Sequence, residues 1–166
     1  MKNFLFLDYE STDTRVNTGQ VIHCAFAVTD ENLKIKEKLE LRSRLKPNVI
    51  PSIGASLVHR VSPKQYKTWN MSHYEMVMQH YNFIKKHSPA FISGFNSVQF
   101  DLEFTRRMYF KSLLPDVYQT NTGGNSHLEI LNCARACKFV DDNALNTKLS
   151  EKNRPSFKLI DLCEAN

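Results

Sequence analysis

Asn3-Phe4-Leu5-Phe6-Leu7-Asp8-Tyr9-Glu10-Ser11 is almost continuously apolar over residues 3–9 and then turns acidic. An apolar run without alternation is the pattern of a β-strand covered on both faces, and such a strand belongs in the middle of a sheet. Asp8 and Glu10 stand two residues apart at its end, so both carboxylates project from one face. Side by side on a core strand, their like charges cost free energy unless a cation offsets them. A hard divalent ion that takes oxygen ligands, Mg²⁺ or Mn²⁺, meets that need; for an isolated D-x-E the alternative is an ordinary solvated turn.

Outward from this stretch, residues 20–29 are rich in Val, Ile, Phe and Ala and predict a second strand, with Asp30-Glu31-Asn32 turning into a third. Over residues 33–46 the alternation is clean: Leu33, Ile35, Leu39, Leu41 and Leu45 on one face, Lys34, Lys36, Lys38, Arg42, Arg44 and Lys46 on the other. The basic stripe suits an edge strand, where lysines discourage sheet-to-sheet pairing, better than a nucleic-acid track. The three strands predict an antiparallel meander. Prolines at 47 and 51 break it, and residues 52–63 predict a short helix or turn. Tyr74, Val77, Met78, Tyr81 and Ile84 recur at helical steps and predict a helix over 73–87 with that stripe in the core.

Pro89 opens a second buried run, Ala90-Phe91-Ile92-Ser93-Gly94-Phe95, and a helix over about 99–112 follows, with Phe100, Phe104 and Met108 four apart. Asp101 falls in or near its first turn. If the two buried strands are neighbours, Asp101 reaches the same rim as Asp8 and Glu10, although the helix macrodipole alone also favours an acid there. Residues 114–126 read as a loop, 127–138 as a helix, and a last helix begins after Pro155 with Ser156 as its N-cap. The order of elements is that of a mixed α/β layer.

The chain has 166 residues, 42% hydrophobic and 23% charged, which suits one domain, 1–166. No apolar run approaches the ~20 residues of a membrane span, and the opening stretch is too short for a signal peptide, so a cytoplasmic location is expected. The four cysteines form no C-x-x-C pair, which excludes a zinc ribbon and a thioredoxin-like motif and leaves buried cytosolic thiols. The five glycines supply no nucleotide-cradling loop. Twenty-two Lys and Arg against seventeen Asp and Glu, a net charge of +5, permit a polyanionic partner without requiring one.

Phe4 to Ser11, with its D-x-E, resembles the first motif of the DEDD superfamily of 3′-to-5′ exonucleases, which have an RNase H-like fold. Gly94-Phe95-Asn96-Ser97 through Phe100-Asp101-Leu102-Glu103-Phe104 resembles the second motif. Leu57-Val58-His59-Arg60-Val61-Ser62-Pro63, the stretch from Leu128 to Cys137, and Ser156-Phe157-Lys158-Leu159-Ile160-Asp161-Leu162 are similar to further segments of the bacterial exonuclease I family, in the same order. The resemblance implies that Asp8 and Glu10 ligate a first Mg²⁺ or Mn²⁺, that Asp8 bridges to a second, and that Asp101 helps hold the second partly through water. It implies two-metal hydrolysis that releases nucleoside monophosphates from the 3′ end of single-stranded DNA, with RNA open as an alternative, and substrate contacts from Tyr9, Ser11, Asn96 and Phe100. No membrane partner is expected.

The family's last motif, a His or Tyr followed about one helical turn later by an Asp, has no counterpart in residues 1–166. The resemblance therefore implies a C-terminally truncated domain without its final helix, incomplete for catalysis and prone to self-association through exposed apolar surface. Asp161 and Glu164 fall ahead of the missing helix, and His59 and His127 read as structural or surface residues rather than bases. A catalytically inactive module that binds a nucleic-acid end or a protein is the alternative.

Overall fold

Leu5, Leu7 and Tyr9 turn one face of the first strand, β1 (Asn3–Ser11), into the core. The computed structural model describes residues 3–166; Met1 and Lys2 lie outside the described residues. β1 is followed by β2 (Val21–Thr29), β3 (Ile35–Arg42), α1 (Ile53–His59), α2 (Pro63–Tyr66), α3 (His73–His87), β4 (Ala90–Gly94), α4 (Asp101–Lys111), β5 (Ser126–Glu129), α5 (Ile130–Val140) and α6 (Leu159–Ala165). The sheet order is β3-β2-β1-β4-β5, with β1–β2 and β2–β3 antiparallel and β1–β4 parallel. The meander, the edge position of β3 and the central position of β1 are as the patterning predicts. The chain forms two compact units, one ending at Leu128 and the other comprising Glu129–Asn166. No helix among the described residues is long and apolar enough to cross a membrane.

Register assigns the two faces of the sheet. Leu5, Leu7 and Tyr9 oppose Val28, Phe26 and Cys24, and these in turn oppose Glu37, Leu39 and Leu41. With Ile92 of β4, this face packs against Val77, Tyr81 and Ile84 of α3 and Phe104 and Met108 of α4 in one apolar cluster. The other face of β1 is only half-covered and carries Phe4, Phe6, Asp8 and Glu10. The expectation of cover on both faces is thus corrected: Phe4 and Phe6 are apolar, but they lie against each other (rings 6.3 Å apart), with Phe4 also against Phe91 (5.4 Å), rather than in the main core.

α3 begins where a capping box allows it. The Ser72 hydroxyl accepts the Glu75 N–H at 3.1 Å, the Glu75 carboxylate accepts the Ser72 N–H at 2.7 Å, and Lys85, Lys86 and His87 favour the other end. Its buried stripe is Met76, Val77, His80, Tyr81, Phe83 and Ile84, while Tyr74 is exposed. The stripe is rotated from the one expected because polar His80 takes a core place, held by two tyrosines. Four other expectations change. β3 stops at Arg42 rather than running to residue 46. Residues 126–129 form β5 before α5 begins at Ile130, since an edge position on the sheet outweighs their helical spacing. Ser156 does not cap α6, which begins at Leu159; its N–H is bonded to the Lys148 carbonyl at 2.8 Å and its hydroxyl to Asp161. Of the cysteines only Cys24 is buried; Cys133, Cys137 and Cys163 are exposed, and all four are free.

A polar chain crosses the apolar core. The Tyr109 hydroxyl donates to Gln119 Oε1 at 3.2 Å, so His80 Nδ1–H donates to Tyr109 (2.7 Å) and His80 Nε2 accepts the Tyr9 hydroxyl. The Tyr9 oxygen also lies 2.8 Å from Thr105 Oγ1, which donates to the Asp101 carbonyl at 2.9 Å. A neutral imidazole, one donor and one acceptor, satisfies both tyrosines, and burial pushes the His80 pKa down to about 3. His73 is likewise pushed down to about 3, by burial and then by the charge of Lys46.

Tyr9→Phe leaves His80 Nε2 without its partner inside the core and is expected to lower unfolding free energy by about 1–3 kcal/mol, read from the urea midpoint. Acid acts through the same core. Unfolded, His73 and His80 take up a proton near pH 6.5; folded, they resist until about pH 3. In that window the unfolded chain binds more protons, so stability falls as pH is lowered, by about 1.4 kcal/mol per pH unit for each imidazole. Urea midpoints at pH 7.5, 6 and 5 check the slope, which His80→Gln should reduce.

Candidate active site

The parallel register pairs Asn3 with Ala90 and Phe6 with Ser93, so β1 and β4 present their C-terminal ends at the same edge of the sheet. The chain leaves β4 at Gly94, where a Cβ would stand 2.5 Å from that of Ser97 and 3.3 Å from the Leu7 carbonyl oxygen. Only glycine allows so close a return. Asn96 follows in the left-handed region (φ 59°), and the Ser97 carbonyl accepts the N–H groups of Phe100 (3.3 Å) and Leu102 (3.0 Å). This turn makes Asp101 the first residue of α4 and buries it.

Asp8 and Glu10 share the half-covered face of β1. Loss of hydration raises the Asp8 pKa, although the residue reaches solvent, and His23 pulls it back. The Glu10 pKa is raised by burial and then by the charge of Asp8. This is the electrostatic signature of two like charges held together with too little water, and it fits the donor set of a hard divalent cation. Asp101 opens α4, where its backbone carbonyl accepts the Thr105 hydroxyl at 2.9 Å and its charge helps to raise the Tyr9 pKa. Among the described residues no group of three or more His, Cys, Asp or Glu side chains is placed to hold one metal ion. The structure therefore brings Asp8 and Glu10 together and does not assemble them with Asp101 into a three-carboxylate cluster.

His23, which residue patterning did not single out, completes this face. Register sets it opposite both Glu10 and Arg42, and its Nε2 lies 2.7 Å from Glu40 Oε1. The Arg42 guanidinium is 6.0 Å from the Trp69 ring centroid. Two concavities meet at Glu10. One, about 390 Å³, is bordered by Ser11, Asp13, Ala55, Val58, His59 and Phe100. The other, about 400 Å³, has His23, Arg42, His59 and Trp69 on its walls. Only the strand register reveals His23 and Arg42 as neighbours of the acidic pair; in sequence they are ordinary members of alternating strands.

The expected substrate contacts divide. Ser11 and Phe100 border the first cavity with Glu10; the Ser11 hydroxyl donates to the Asp13 carbonyl at 2.7 Å, and the Phe100 ring meets Phe104 edge-on at 5.0 Å. Asn96 is exposed on its turn. Tyr9 borders the cavity, but it is 5% exposed and its hydroxyl is committed to the core. His59 is held by both ring nitrogens: Nδ1 accepts the Val61 N–H at 3.1 Å and Nε2 lies 3.0 Å from the Tyr66 hydroxyl. His127 Nε2 lies 3.1 Å from Ser97 Oγ. In the unit from Glu129 onward, Asp161 is bonded to Ser156 and Glu164 is ion-paired with Lys148.

No protein-family model matches the chain. It is 27% identical over 165 residues to exodeoxyribonuclease I of Buchnera aphidicola subsp. Acyrthosiphon pisum, covering 99% of this chain and 40% of that protein. It is 25% identical over 165 residues to exodeoxyribonuclease I of Escherichia coli K12, covering 98% of this chain and 34% of that protein. A product-bound exonuclease I superposes on all of this chain and 38% of its own, with a TM-score of 0.92 and 25% identity. E. coli exonuclease I in complex with a dT13 oligonucleotide does so over 36% of its chain, with a TM-score of 0.93 and 24% identity. The chain thus spans between a third and two fifths of the length of these relatives. Sequence and fold agree: over a stretch consistent with an N-terminal domain the chain is similar to exodeoxyribonuclease I, and its architecture is RNase H-like.

Proposed function

We propose that the chain serves 3′-to-5′ exonucleolytic hydrolysis of single-stranded DNA, with the Asp8–Glu10 pair at its centre. The observation that carries this reading is the Asp8–Glu10 pair on one face of β1, its like charges repelling, with Glu10 bordering a cavity of about 390 Å³ that has an apolar wall. Asp8 and Glu10 would hold a divalent cation, Mg²⁺ or Mn²⁺, with Asp101 as the third carboxylate once the site is loaded. Such ions, when bound, lower the pKa of an attacking water and offset charge on the leaving 3′ oxygen. The residues of this chain bind and orient: Phe100, Ala55 and Val58 offer apolar surface to the terminal base, and Arg42 beside Trp69 offers a cation and a ring to the preceding strand. Single-stranded DNA is the favoured polymer because a related exonuclease I was solved with a dT13 oligonucleotide.

Residues 1–166 act in this reading as one exonuclease-like domain in the cytoplasm, in which counterparts exist for three of four family carboxylates. Self-association through exposed apolar side chains such as Phe139 and Val140 belongs to the same proposal. The second reading, a module that binds an end without cutting it, is favoured by one observation, the failure of Asp101 to join Asp8 and Glu10 in a ready ligand group.

A 5′-labelled dT oligonucleotide with Mg²⁺ or Mn²⁺ tests both. The 166-residue polypeptide alone should hydrolyse near background. Joined to a segment that brings the last motif, it should shorten the strand from the 3′ end in single-nucleotide steps, and Asp8→Ala should slow this roughly 10²-fold or more. Internal cuts, or an Asp8→Ala protein as fast as the parent, overturn the proposal; salt-dependent strand binding without hydrolysis in the joined protein establishes the binding module instead.

A further inference from the structure

A third concavity, about 390 Å³ in volume, shares no residue with the two beside Glu10. That volume lies within the range of small-molecule pockets. Its walls carry Lys46, just past β3, His73 at the start of α3, and Arg107 and Lys111 one turn apart on α4. No Asp or Glu borders it. Among the described residues, Arg15, Arg42, Lys86, Arg106, Lys138 and Lys148 each have a carboxylate within ion-pair distance, whereas Lys46, Arg107 and Lys111 have none.

The site is also stiff. Gln20, 3% exposed, accepts the Lys46 backbone N–H at 2.9 Å while its amide donates to Ser43 Oγ (3.2 Å) and the Arg44 carbonyl (2.9 Å). Lys111 Nζ donates to the Asn17 carbonyl at 3.0 Å, which leaves its other donors for a ligand. The cations press on one another: the Lys46 pKa is lowered by burial and then by Lys111, and His73 by burial and then by Lys46. Gathering like charges around a cavity costs free energy that nothing in its lining offsets, and an anion seated there removes the cost.

We propose that the cavity walled by Lys46, His73, Arg107 and Lys111 is a phosphate-binding site, separate from the carboxylate pair. Three cations around one cavity suit a tetrahedral, multiply charged oxyanion better than a single carboxylate. Val16 and Val49, half-buried on the same wall, leave apolar surface for whatever the phosphate is attached to. The phosphate belongs either to a free mononucleotide or to an internal position of a strand.

The ¹⁵N-labelled chain, in EDTA and at constant ionic strength, is titrated with inorganic phosphate, dTMP and a dT oligonucleotide lacking terminal phosphate. Saturable amide shifts at Gly19, Asn48 and Arg107 are expected with phosphate and dTMP, and either Lys46→Gln or Arg107→Gln should weaken binding about tenfold. Arg107 is exposed, so its replacement leaves the core intact and keeps the test valid if Lys46→Gln does not fold. Tighter binding of dTMP than of the oligonucleotide assigns the free nucleotide; the reverse assigns the strand. Shifts that do not saturate, glutamate competing as well as phosphate, or both variants binding like the parent overturn the site.

Discussion

β1 is held on both sides by backbone hydrogen bonds, antiparallel to β2 and parallel to β4, and the rest of the unit ending at Leu128 depends on that double pairing. A strand alternates its side chains strictly, so fixing β1 in the middle of the sheet divides labour between its faces. Leu5, Leu7 and Tyr9 go to the core with α3 and α4; Asp8 and Glu10 go to the side where water is scarce but not absent. A one-residue slip would place two carboxylates under α3 and α4 and expel two leucines, a cost no neighbouring group could offset. The acidic pair thus owes its position to the leucines on the opposite face.

The parallel partner contributes differently. A parallel strand needs a crossover, and residues between β3 and β4 supply it through α1, α2 and α3. That excursion carries Ala55, Val58 and His59 to the cavity beside Glu10 and His73 to the basic cavity, so one connection furnishes walls to both. The return at Gly94 then sets where α4 begins. Asp101 opens α4 there, its carbonyl bonded by Thr105 Oγ1, which lies 2.8 Å from the Tyr9 hydroxyl. Core order and site geometry meet here, because Thr105 lies against the hydroxyl that satisfies His80 and itself donates to the Asp101 carbonyl in the first turn of α4.

Much of this was legible in the residues. The unbroken run before Asp8, the alternation of β3 and the 3.6-residue stripe of α3 give element type and order, because each is a local consequence of which side chains must leave water. His80 and Tyr74 mark where that logic fails: a polar residue entered the core because two tyrosines met its hydrogen bonds, and an aromatic one stayed outside because helix rotation followed the whole stripe. β5 was hidden for a similar reason, since residues 126–129 carry helical spacing and become a strand only when a sheet edge is available.

Sequence by itself determined the sheet's centre, the meander, the pairing of Asp8 with Glu10 on one face, and the likeness to exonuclease I, because all of these follow from order and period along the chain. Only the tertiary structure decided which residues surround that pair. His23, Arg42 and Trp69 come to Glu10 through cross-strand register and a crossover, Tyr9 is withdrawn into the core by His80, and Lys46, Arg107 and Lys111 converge from elements far apart in the chain. Charges attract and repel through space rather than along the backbone, so their company is set by packing and cannot be read from spacing.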